Sequence, residues 1–379
     1  MSAWQRFIAW CRSVIRWPQD PRLRRRRIII IGVVVAIVGG TTAAWYTQRN
    51  NVPTPTDQNL NVDSTAIEQQ LTGQLVTSPL DGKEYAADLA NRRPIGVMVE
   101  NHPDARPQYG LSRASVIYEA VAEGGITRYL LVFGPTDADR VGPIRSARTY
   151  YIDWALEYDA MYAHAGGAAN ALAKIRSDKT INDMDMLGKP VMWRQRRGNE
   201  ASEHTLYGST VFMRSYSQDV GWSQTANFIP WQFTTDTRTP EERQAAATAS
   251  AITIPYGGSY TVSYAYDPTT NTYARTLAKK ADMDALTNEQ IAPTNIVVQV
   301  MERNEIESGG KTVGDMTLYG KGKALIFSGG TITEGEWRKE KERSRTKFYD
   351  AAGTEVSLRA GQTIVTVIQP TIYSKVSYQ

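Results

Sequence analysis

Two arginines near the middle of the chain have the residue type and spacing that best fit a chemical role. Arg145 and Arg148 follow Pro143 in the stretch GPIRSAR. Residues three apart share one face of a helix and proline is favoured at the first helical position, so the spacing predicts both arginines at a helix start. Guanidinium groups beside the unpaired amides of a helix N-terminus suit phosphate or carboxylate. The pair therefore predicts an anion-binding site.

Three further charged residues are candidates for the same site. Arg128 ends the stretch EGGITR, and we expect it to converge on the two arginines, with Glu119 and Glu123 as counter-charges. A purely structural network of arginines and carboxylates fits the same residues, because such pairs also stabilise ordinary folds. The sequence leaves both interpretations open.

All three histidines of the chain, His102, His164 and His204, lie at predicted loops or strand ends and are counted among the candidate ligand-binding residues. Three imidazoles are enough ligands for a catalytic zinc site, but no short spacing such as HExxH accompanies them. We expect them to pin loops through hydrogen bonds, and we predict neither a metal nor another cofactor. Glu100, with Glu119 and Glu123, is an alternative source of a general acid and base for glycan cleavage.

Composition and missing motifs exclude several classes of function. The sequence contains no Gly-x-Ser-x-Gly elbow, P-loop or dinucleotide-binding fingerprint. Its one cysteine, Cys11, lies near the N-terminus, so the rest of the chain has no cysteine nucleophile. The formal net charge is +4, but residues 1–27 contain eight arginines and one aspartate, which leaves −3 for the remainder. No basic field suggests nucleic-acid binding, and we predict no nucleic-acid partner.

The elements that must position these residues are predicted from apolar runs and turn residues. Gly124-Gly125 lies between two apolar runs and predicts a hairpin that carries Glu119 and Arg128. The predicted strands of this half are Ile95–Val99, Val116–Ala122, Ile126–Phe133 and Ala160–His164, with helices up to about Tyr158 and from about Ala168 to Arg176. Strands that alternate with helices predict an α/β-type mixed domain over residues 79–225.

The remainder, residues 226–379, is predicted to be a smaller, mainly-β domain, a barrel or a sandwich. Tyr260–Tyr266 and Tyr273–Leu277 flank a turn and predict a hairpin. The segment Trp337–Lys347 is rich in lysine and arginine, which is typical of a solvated edge strand, with binding to acidic wall polymers as the alternative. The predicted fold class is α+β, with a transmembrane helix before the two domains.

The predicted transmembrane helix is the uncharged stretch 28–46. At about 1.5 Å per residue its nineteen residues span roughly 28 Å, close to the hydrocarbon thickness of a bilayer. The arginines before it predict that 1–27 is a cytoplasmic, basic, amphipathic segment, and the polar residues 47–78 predict a flexible extracytoplasmic linker. We therefore predict a single-pass membrane protein with a cytoplasmic N-terminus. A cleaved signal peptide is the alternative.

Several longer motifs resemble a known family. They are RRPIGVMVENHPDARPQ (92–108), YEAVAEGGITRYLLVF (118–133), VGPIRSARTYYID (141–153), YAHAGG (162–167), EHTLY (203–207) and the pattern from GKALIFSGG to GQT (322–363). Together they are similar to the YerB-like family of bacterial envelope proteins, which are built from two domains of unknown function. The resemblance covers about 79–370 and implies a location in the cell envelope. Members often have a lipidated cysteine anchor, whereas here we predict a transmembrane helix.

A fainter resemblance concerns the class of ligand. A strand, a Pro-x-Arg element and a loop with paired glycines are similar to LytR-CpsA-Psr ligases, which hold a polyprenyl pyrophosphate with arginine and aspartate. Their Pro-Arg-Asp sequence is absent, because this chain reads Pro143-Ile-Arg145-Ser146. We predict a membrane-anchored extracytoplasmic protein that binds an anionic cell-wall component, a lipid-linked precursor or a wall-synthesis protein. The alternative is a transferase or hydrolase that acts on a polyprenyl-phosphate-linked glycan.

Overall fold

The computed structural model describes residues 75–185 and 191–379. These residues belong to one compact unit, residues 69–379. The predicted segment 1–27, the predicted transmembrane helix 28–46 and most of the predicted linker 47–78 lie outside the described residues. Within 75–185 and 191–379, no helix combines the length and apolar character needed to cross a membrane.

Strands are the main element of the described chain. In chain order they are β1 (Leu75–Thr77), β2 (Glu84–Ala86), β3 (Ile95–Glu100), β4 (Val116–Val121), β5 (Thr127–Phe133), β6 (Met161–His164), β7 (Asp183–Asp185), β8 (Met192–Arg194), β9 (Leu206–Gly208), β10 (Phe233–Thr234), β11 (Ala251–Pro255), β12 (Thr261–Asp267), β13 (Thr272–Leu277), β14 (Lys280–Ala281), β15 (Met283–Asp284), β16 (Glu289–Gln290), β17 (Asn295–Val300), β18 (Arg303–Ser308), β19 (Lys311–Met316), β20 (Gly320–Ser328), β21 (Thr331–Lys339), β22 (Lys347–Asp350), β23 (Leu358–Arg359), β24 (Thr363–Ile368) and β25 (Ser377–Tyr378). The α-helices are α1 (Ala87–Ala90), α2 (Thr149–Leu156), α3 (Ala169–Ser177), α4 (Thr210–Asp219), α5 (Pro240–Ala246) and α6 (Pro370–Tyr373).

Ten of these strands form one mixed sheet in the order β22-β21-β20-β17-β24-β4-β5-β3-β6-β7. Five strands come from residues 95–185 and five from residues 295–368. The two groups meet where β24 pairs in parallel with β4. The pairs β17–β24, β3–β6 and β6–β7 are also parallel, and the other neighbours are antiparallel. The continuous sheet therefore runs through both halves of the chain.

Alternating side chains of this sheet pack into cores on its two faces, because successive residues of a strand point to opposite sides. On one face, Met98, Tyr118 and Leu130 pack with Trp154 of helix α2. The opposite face has two cores. One lies under β3, β4 and β5, and the other lies between β17 and β20 and a second sheet, of order β14-β13-β12-β11-β25. Both faces of the central strands are therefore covered, which explains their unbroken apolar sequences.

The predicted fold class is wrong. The described chain is strand-rich, and its longest helix, α4, has ten residues. Strands from both predicted domains lie in one continuous sheet instead of in an α/β-type domain beside a separate barrel or sandwich. The cause is the parallel pairing of residues 116–120 with 363–367, because two apolar runs far apart in sequence carry no local signal that they are neighbours.

Several local predictions are confirmed. Strands β4 and β5 form the predicted antiparallel hairpin, with Gly124 and Gly125 at φ of 61° and 74°. Two consecutive positive φ values define the type I′ turn that a two-glycine hairpin favours. Strands β12 and β13 form the second predicted hairpin. These hairpins were predictable because their turn residues and apolar flanks lie close together in sequence.

Candidate functional site

The segment 142–148, which carries Arg145 and Arg148, is extended instead of helical. Its residues bond to the end of β3 on one side, where the amide of Arg145 donates to the carbonyl of Met98 (3.0 Å). On the other side, the amide of Ala165 donates to the carbonyl of Arg145 (3.0 Å). Helix α2 begins only at Thr149. The predicted helical position of the two arginines is therefore wrong, because neighbours on both sides take up the backbone groups.

Arg145 lies over the carboxyl end of β3. Its Nε contacts Oε2 of Glu100, and its Nη1 donates to the carbonyl of Glu203 (3.3 Å). Oε1 of Glu100 accepts hydrogen bonds from the amides of Asn101 and His102, both at 3.2 Å. The side chain of Arg145 is 22% exposed, so it is open to solvent while Glu100 is buried.

Arg148 binds the carboxylate of Glu123 in the bidentate geometry that a guanidinium favours. Nε and Nη2 each donate to one carboxylate oxygen at 2.5 Å. Burial raises the pKa of Glu123, but the hydrogen bonds and charge of Arg148 outweigh it and leave that pKa below its ordinary value. Glu123 is therefore ionised at neutral pH, and it lies at the turn of the β4–β5 hairpin.

Arg128 is buried, at 7% exposure, and so is Arg148, at 8%. Its Nη2 is 3.6 Å from Oε2 of Glu123, and Nε and Nη1 have no hydrogen-bond partner among the described residues. Burial and the nearby charge of Arg148 lower the pKa of Arg128. An unpaired, buried guanidinium N–H is unfavourable because it has lost its water and gained no acceptor.

We call Arg128, Arg145 and Arg148, with Glu100 and Glu123, the arginine cluster. Three guanidinium groups and two carboxylates leave one formal positive charge. The arginines come from β5 and from the extended segment, and they meet where β3 and β6 end and α2 begins. The five residues therefore have a formal positive charge, and Arg128 has N–H donors without an acceptor among the described residues.

Glu119 lies away from this cluster, on the opposite face of the sheet. Its Oε2 is 2.7 Å from Nη2 of Arg275, and its Oε1 accepts a hydrogen bond from Thr127 (3.0 Å). Arg275 also contacts Asp282 and donates to the hydroxyl of Tyr129 at 3.2 Å. We call Glu119, Arg275, Asp282 and Tyr129 the Arg275 network. Strand alternation explains its position, because Glu119 shares a face with Ile117 and not with Tyr118.

The three histidines occupy two places. His102 and His204 stack with ring centroids 4.9 Å apart and ring planes at 14°. His204 approaches the arginine cluster, with Nδ1 3.6 Å from Oε2 of Glu100. His164 is fully buried elsewhere, with Nδ1 2.7 Å from the carbonyl of Gly166 and Nε2 2.6 Å from Asp183. The structure therefore brings two histidines to the candidate site and uses the third to pin a loop.

The sequence analysis missed two contributions to the site. Glu100 was considered as an acid or base, whereas the structure places it between Arg145 and His204. The alternation of β3 carried a signal, because Glu100 falls on the same face as Met98 and the arginines. Glu203 contributes only a backbone carbonyl, for which a sequence contains no signal.

The segment 337–347, predicted to be a solvated edge or a polymer-binding surface, is partly buried. Lys339 and Arg345 are buried, and both contact the carboxylate of Glu157. Arg345 also lies over the ring of Trp231, with 3.6 Å between Cζ and the ring centroid. We call Glu157, Lys339 and Arg345 the Glu157 cluster. Two of the cations in this segment are therefore structural.

Comparison with known families gives two domain matches. Residues 80–223 match the N-terminal domain of a protein of unknown function (DUF3048), and residues 252–365 match the C-terminal domain of the same description. The arginine cluster falls within the first match. Arg275 falls within the second and contacts Glu119 in the first.

A relative and a solved structure extend these matches. The Bacillus subtilis (strain 168) protein named "Putative lipoprotein YerB" is 30% identical over 272 residues, which is 70% of this chain and 79% of that protein. The crystal structure of YerB protein from Bacillus subtilis has a TM-score of 0.70 and 26% identity to this chain, and the match covers 80% of this chain and 99% of that one.

These findings contradict the predicted localisation. The relative carries the name of a lipoprotein, a class anchored by a lipid and not by a spanning helix. In the part of the chain that the structure describes, no helix is suited to crossing a membrane. The prediction of a single-pass transmembrane protein with a cytoplasmic N-terminus is therefore corrected; the segment 28–46 itself lies outside the described residues.

The domain matches, the relative and the solved structure all agree with the resemblance carried by the motifs between residues 92 and 363. The match to the relative covers most of that protein, and the match to the solved structure covers nearly all of that chain. The chain belongs to the YerB-like family and contains the N-terminal and C-terminal DUF3048 domains.

Proposed function

We propose that this chain is an extracytoplasmic protein of the cell envelope that binds an anionic cell-wall component or lipid-linked precursor through the arginine cluster. A wall-synthesis protein that presents an anionic group is a further partner of the same chemistry. The lipoprotein name of the Bacillus subtilis relative supports the envelope location. The charge and hydrogen bonding of the arginine cluster support the choice of an anion.

The observation that carries the proposal is the state of Arg128. Two of its nitrogens are buried without a hydrogen-bond partner in residues 75–185 and 191–379, although the carboxylates of Glu123 and Glu100 lie nearby. A structural network of arginines and carboxylates pairs most of its donors, because each unpaired buried donor costs about 1–3 kcal/mol. Arg148 is paired in this way, and the buried Arg275 and Arg345 each leave only Nε unpaired, whereas Arg128 leaves both Nε and Nη1 unpaired. A phosphate or carboxylate oxygen from a ligand is the natural acceptor for Arg128.

The geometry also limits the ligand. Arg145 and Glu123 are partly exposed, so an anion has access from that side. The planar donor forks of arginine match phosphate and carboxylate oxygens in pairs. The residual charge of the cluster is +1, which favours one anionic group per site. A phosphate monoester or a pyrophosphate on a lipid-linked precursor meets these requirements, and so does the carboxylate of a wall peptide.

The test is calorimetric titration of the full chain, stripped of metal with EDTA and then dialysed free of it, with inorganic pyrophosphate, undecaprenyl phosphate in micelles and soluble peptidoglycan fragments. Arg145→Gln removes the partly exposed cation, and we expect at least a tenfold loss of affinity, since a charged hydrogen bond contributes about 1.5–3 kcal/mol. Arg128→Lys keeps the charge without the planar fork and should weaken binding as well. The matched control is Arg343→Gln, an exposed arginine that pairs with one carboxylate, Asp178.

The proposal fails if none of the three probes binds the wild-type chain, or if Arg145→Gln and Arg343→Gln bind equally well. Circular dichroism and the urea midpoint of each variant show whether the fold is intact. If Arg128→Lys unfolds the chain, Arg145→Gln still decides the question because its side chain is open to solvent. Turnover of a lipid-linked glycan by the wild-type chain would instead favour the transferase or hydrolase alternative.

A further inference from the structure

The histidine pair next to the arginine cluster forms a set of potential metal ligands. His102 follows β3, and His204 lies in the turn that precedes β9, about a hundred residues later. Asp104 joins them, so that one ligand atom from each of the three residues lies within 4.8 Å of the other two. The sequence showed no metal-binding spacing because the fold brings the three residues together from two distant loops.

The chemistry of these donors suits a borderline transition metal. Zinc takes imidazole nitrogen and carboxylate oxygen at about 2.0–2.2 Å in a tetrahedral arrangement. Donor atoms around such an ion lie roughly 3.5 Å apart, and the ion lies in the plane of each imidazole that binds it. The loops must therefore approach by about 1 Å on binding, and the ring of His102 must turn out of its stack on His204. Asp104 is exposed and His102 is half-buried, so both can move, whereas His204 is fixed by burial.

The state of the two rings is the second observation. His204 is 7% exposed, and its Nδ1 has no hydrogen-bond partner in the described part of the chain. Nδ1 of His102 accepts a long hydrogen bond from the amide of Asp104 at 3.3 Å, so that nitrogen is unprotonated, and a metal ion that binds there displaces this hydrogen bond. A buried imidazole nitrogen without a partner is unfavourable, and a metal ion would satisfy it. His164 is unsuited to this role because both its ring nitrogens already have partners.

We infer that His102, Asp104 and His204 bind one divalent transition-metal ion of the zinc class. Three protein ligands leave one coordination position open, as in catalytic zinc sites. Oε2 of Glu100 lies 3.6 Å from Nδ1 of His204 and also contacts Arg145, so the ion would lie beside the arginine cluster. This revises the sequence-based expectation of no metal. The inference is independent of the proposed anion binding, since it requires only the three donors.

The experiment uses the full chain stripped with EDTA and then titrated with Zn²⁺ by calorimetry and with Co²⁺ by visible absorption. We expect one ion per chain and the d–d bands of tetrahedral Co²⁺. His102→Ala, whose side chain is half-buried in a loop, should lower zinc affinity at least tenfold, and His204→Ala should do the same. Asp104→Asn should weaken binding, whereas the matched control Asp139→Asn, at an exposed aspartate on another loop, should not.

The inference is overturned if the wild-type chain binds neither ion, or if His102→Ala and wild type bind zinc equally. If His204→Ala disturbs the fold, the comparison of His102→Ala with Asp139→Asn still gives the answer. Anion titrations use the metal-free chain, dialysed free of EDTA, and metal titrations contain no anion probe. Failure of the metal site and failure of the anion site are therefore separate results.

Discussion

Replacement of Arg275 by methionine is the sharpest test of how the second sheet is attached to the first. Arg275 is completely buried and contacts Glu119 and Asp282, which are also buried. Methionine keeps an unbranched stem of similar length but removes the charge and the donors. Two buried carboxylates would then lose the cation that contacts both of them. Removal of one partner from a buried ion pair costs about 3–5 kcal/mol, and we expect Arg275→Met to lie in that range.

The pH dependence separates the loss of charge from the loss of packing. Burial raises the pKa of Glu119 and of Asp282, and Arg275 acts against that rise. Without Arg275 both pKa values rise further, so the folded state binds more protons than the unfolded state. Stability is then greatest below the ordinary carboxyl pKa of about 4 and falls as the pH rises through the raised values. The deficit of Arg275→Met should therefore be larger at pH 8 than at pH 5.

The assay is urea unfolding followed by tryptophan fluorescence at pH 5 and pH 8. Arg343→Met is the control because Arg343 and Asp178 form a partly exposed pair at 3.0 Å, for which at most about 1 kcal/mol is expected. The double variant Arg275→Met/Glu119→Gln also removes the charge of Glu119, one of the two carboxylates that lose their cation. We expect its free energy of unfolding to be about 0.5–3 kcal/mol higher than that of Arg275→Met. A loss in Arg275→Met no larger than that of the control, or equal at both pH values, would refute this account.

Three further predictions are tested by the urea midpoint of unfolding of each variant. Glu157→Gln leaves both cations of the Glu157 cluster buried without a counter-charge and should cost about 3 kcal/mol. Gly125→Ala places a side chain at φ of 74° and should cost about 1 kcal/mol, whereas Gly198→Ala, in a loop without positive φ, should change the midpoint little. Asp183→Asn removes the charged partner of His164 and should cost about 1.5 kcal/mol. An unchanged midpoint in Glu157→Gln, Gly125→Ala or Asp183→Asn contradicts the role given to that residue.

The sequence was informative where the deciding residues are neighbours along the chain. The paired glycines at 124 and 125 specify a tight turn, and the apolar runs beside them specify two strands. Residues 142–148 show the opposite case. Pro143 and the spacing of the arginines favoured a helix, but hydrogen bonds to β3 and to residues 165–168 hold the segment extended. Tertiary contacts override weak local preferences of this kind.

The candidate site was only partly predictable for the same reason. Arg128, Arg145, Arg148 and Glu123 were predicted together and do lie together, because the hairpin and the extended segment both end at this edge of the sheet. The partner of Glu119 was not predictable, since Arg275 is more than 150 residues away. The mixed charges of 337–347 resembled an ordinary surface, and no sequence pattern shows that two of its cations are buried against a residue in another element.

The seam between β24 and β4 has a consequence for how this chain is made and handled. A fragment that stops near residue 225 would leave the apolar β4 with one row of backbone donors and acceptors unmatched, and the complementary fragment would leave β24 in the same state. Unprotected strand borders of this kind recruit other chains. Each fragment expressed alone should therefore aggregate. The two fragments expressed together should remain soluble because they pair β24 with β4 again, as the halves of a split reporter protein do.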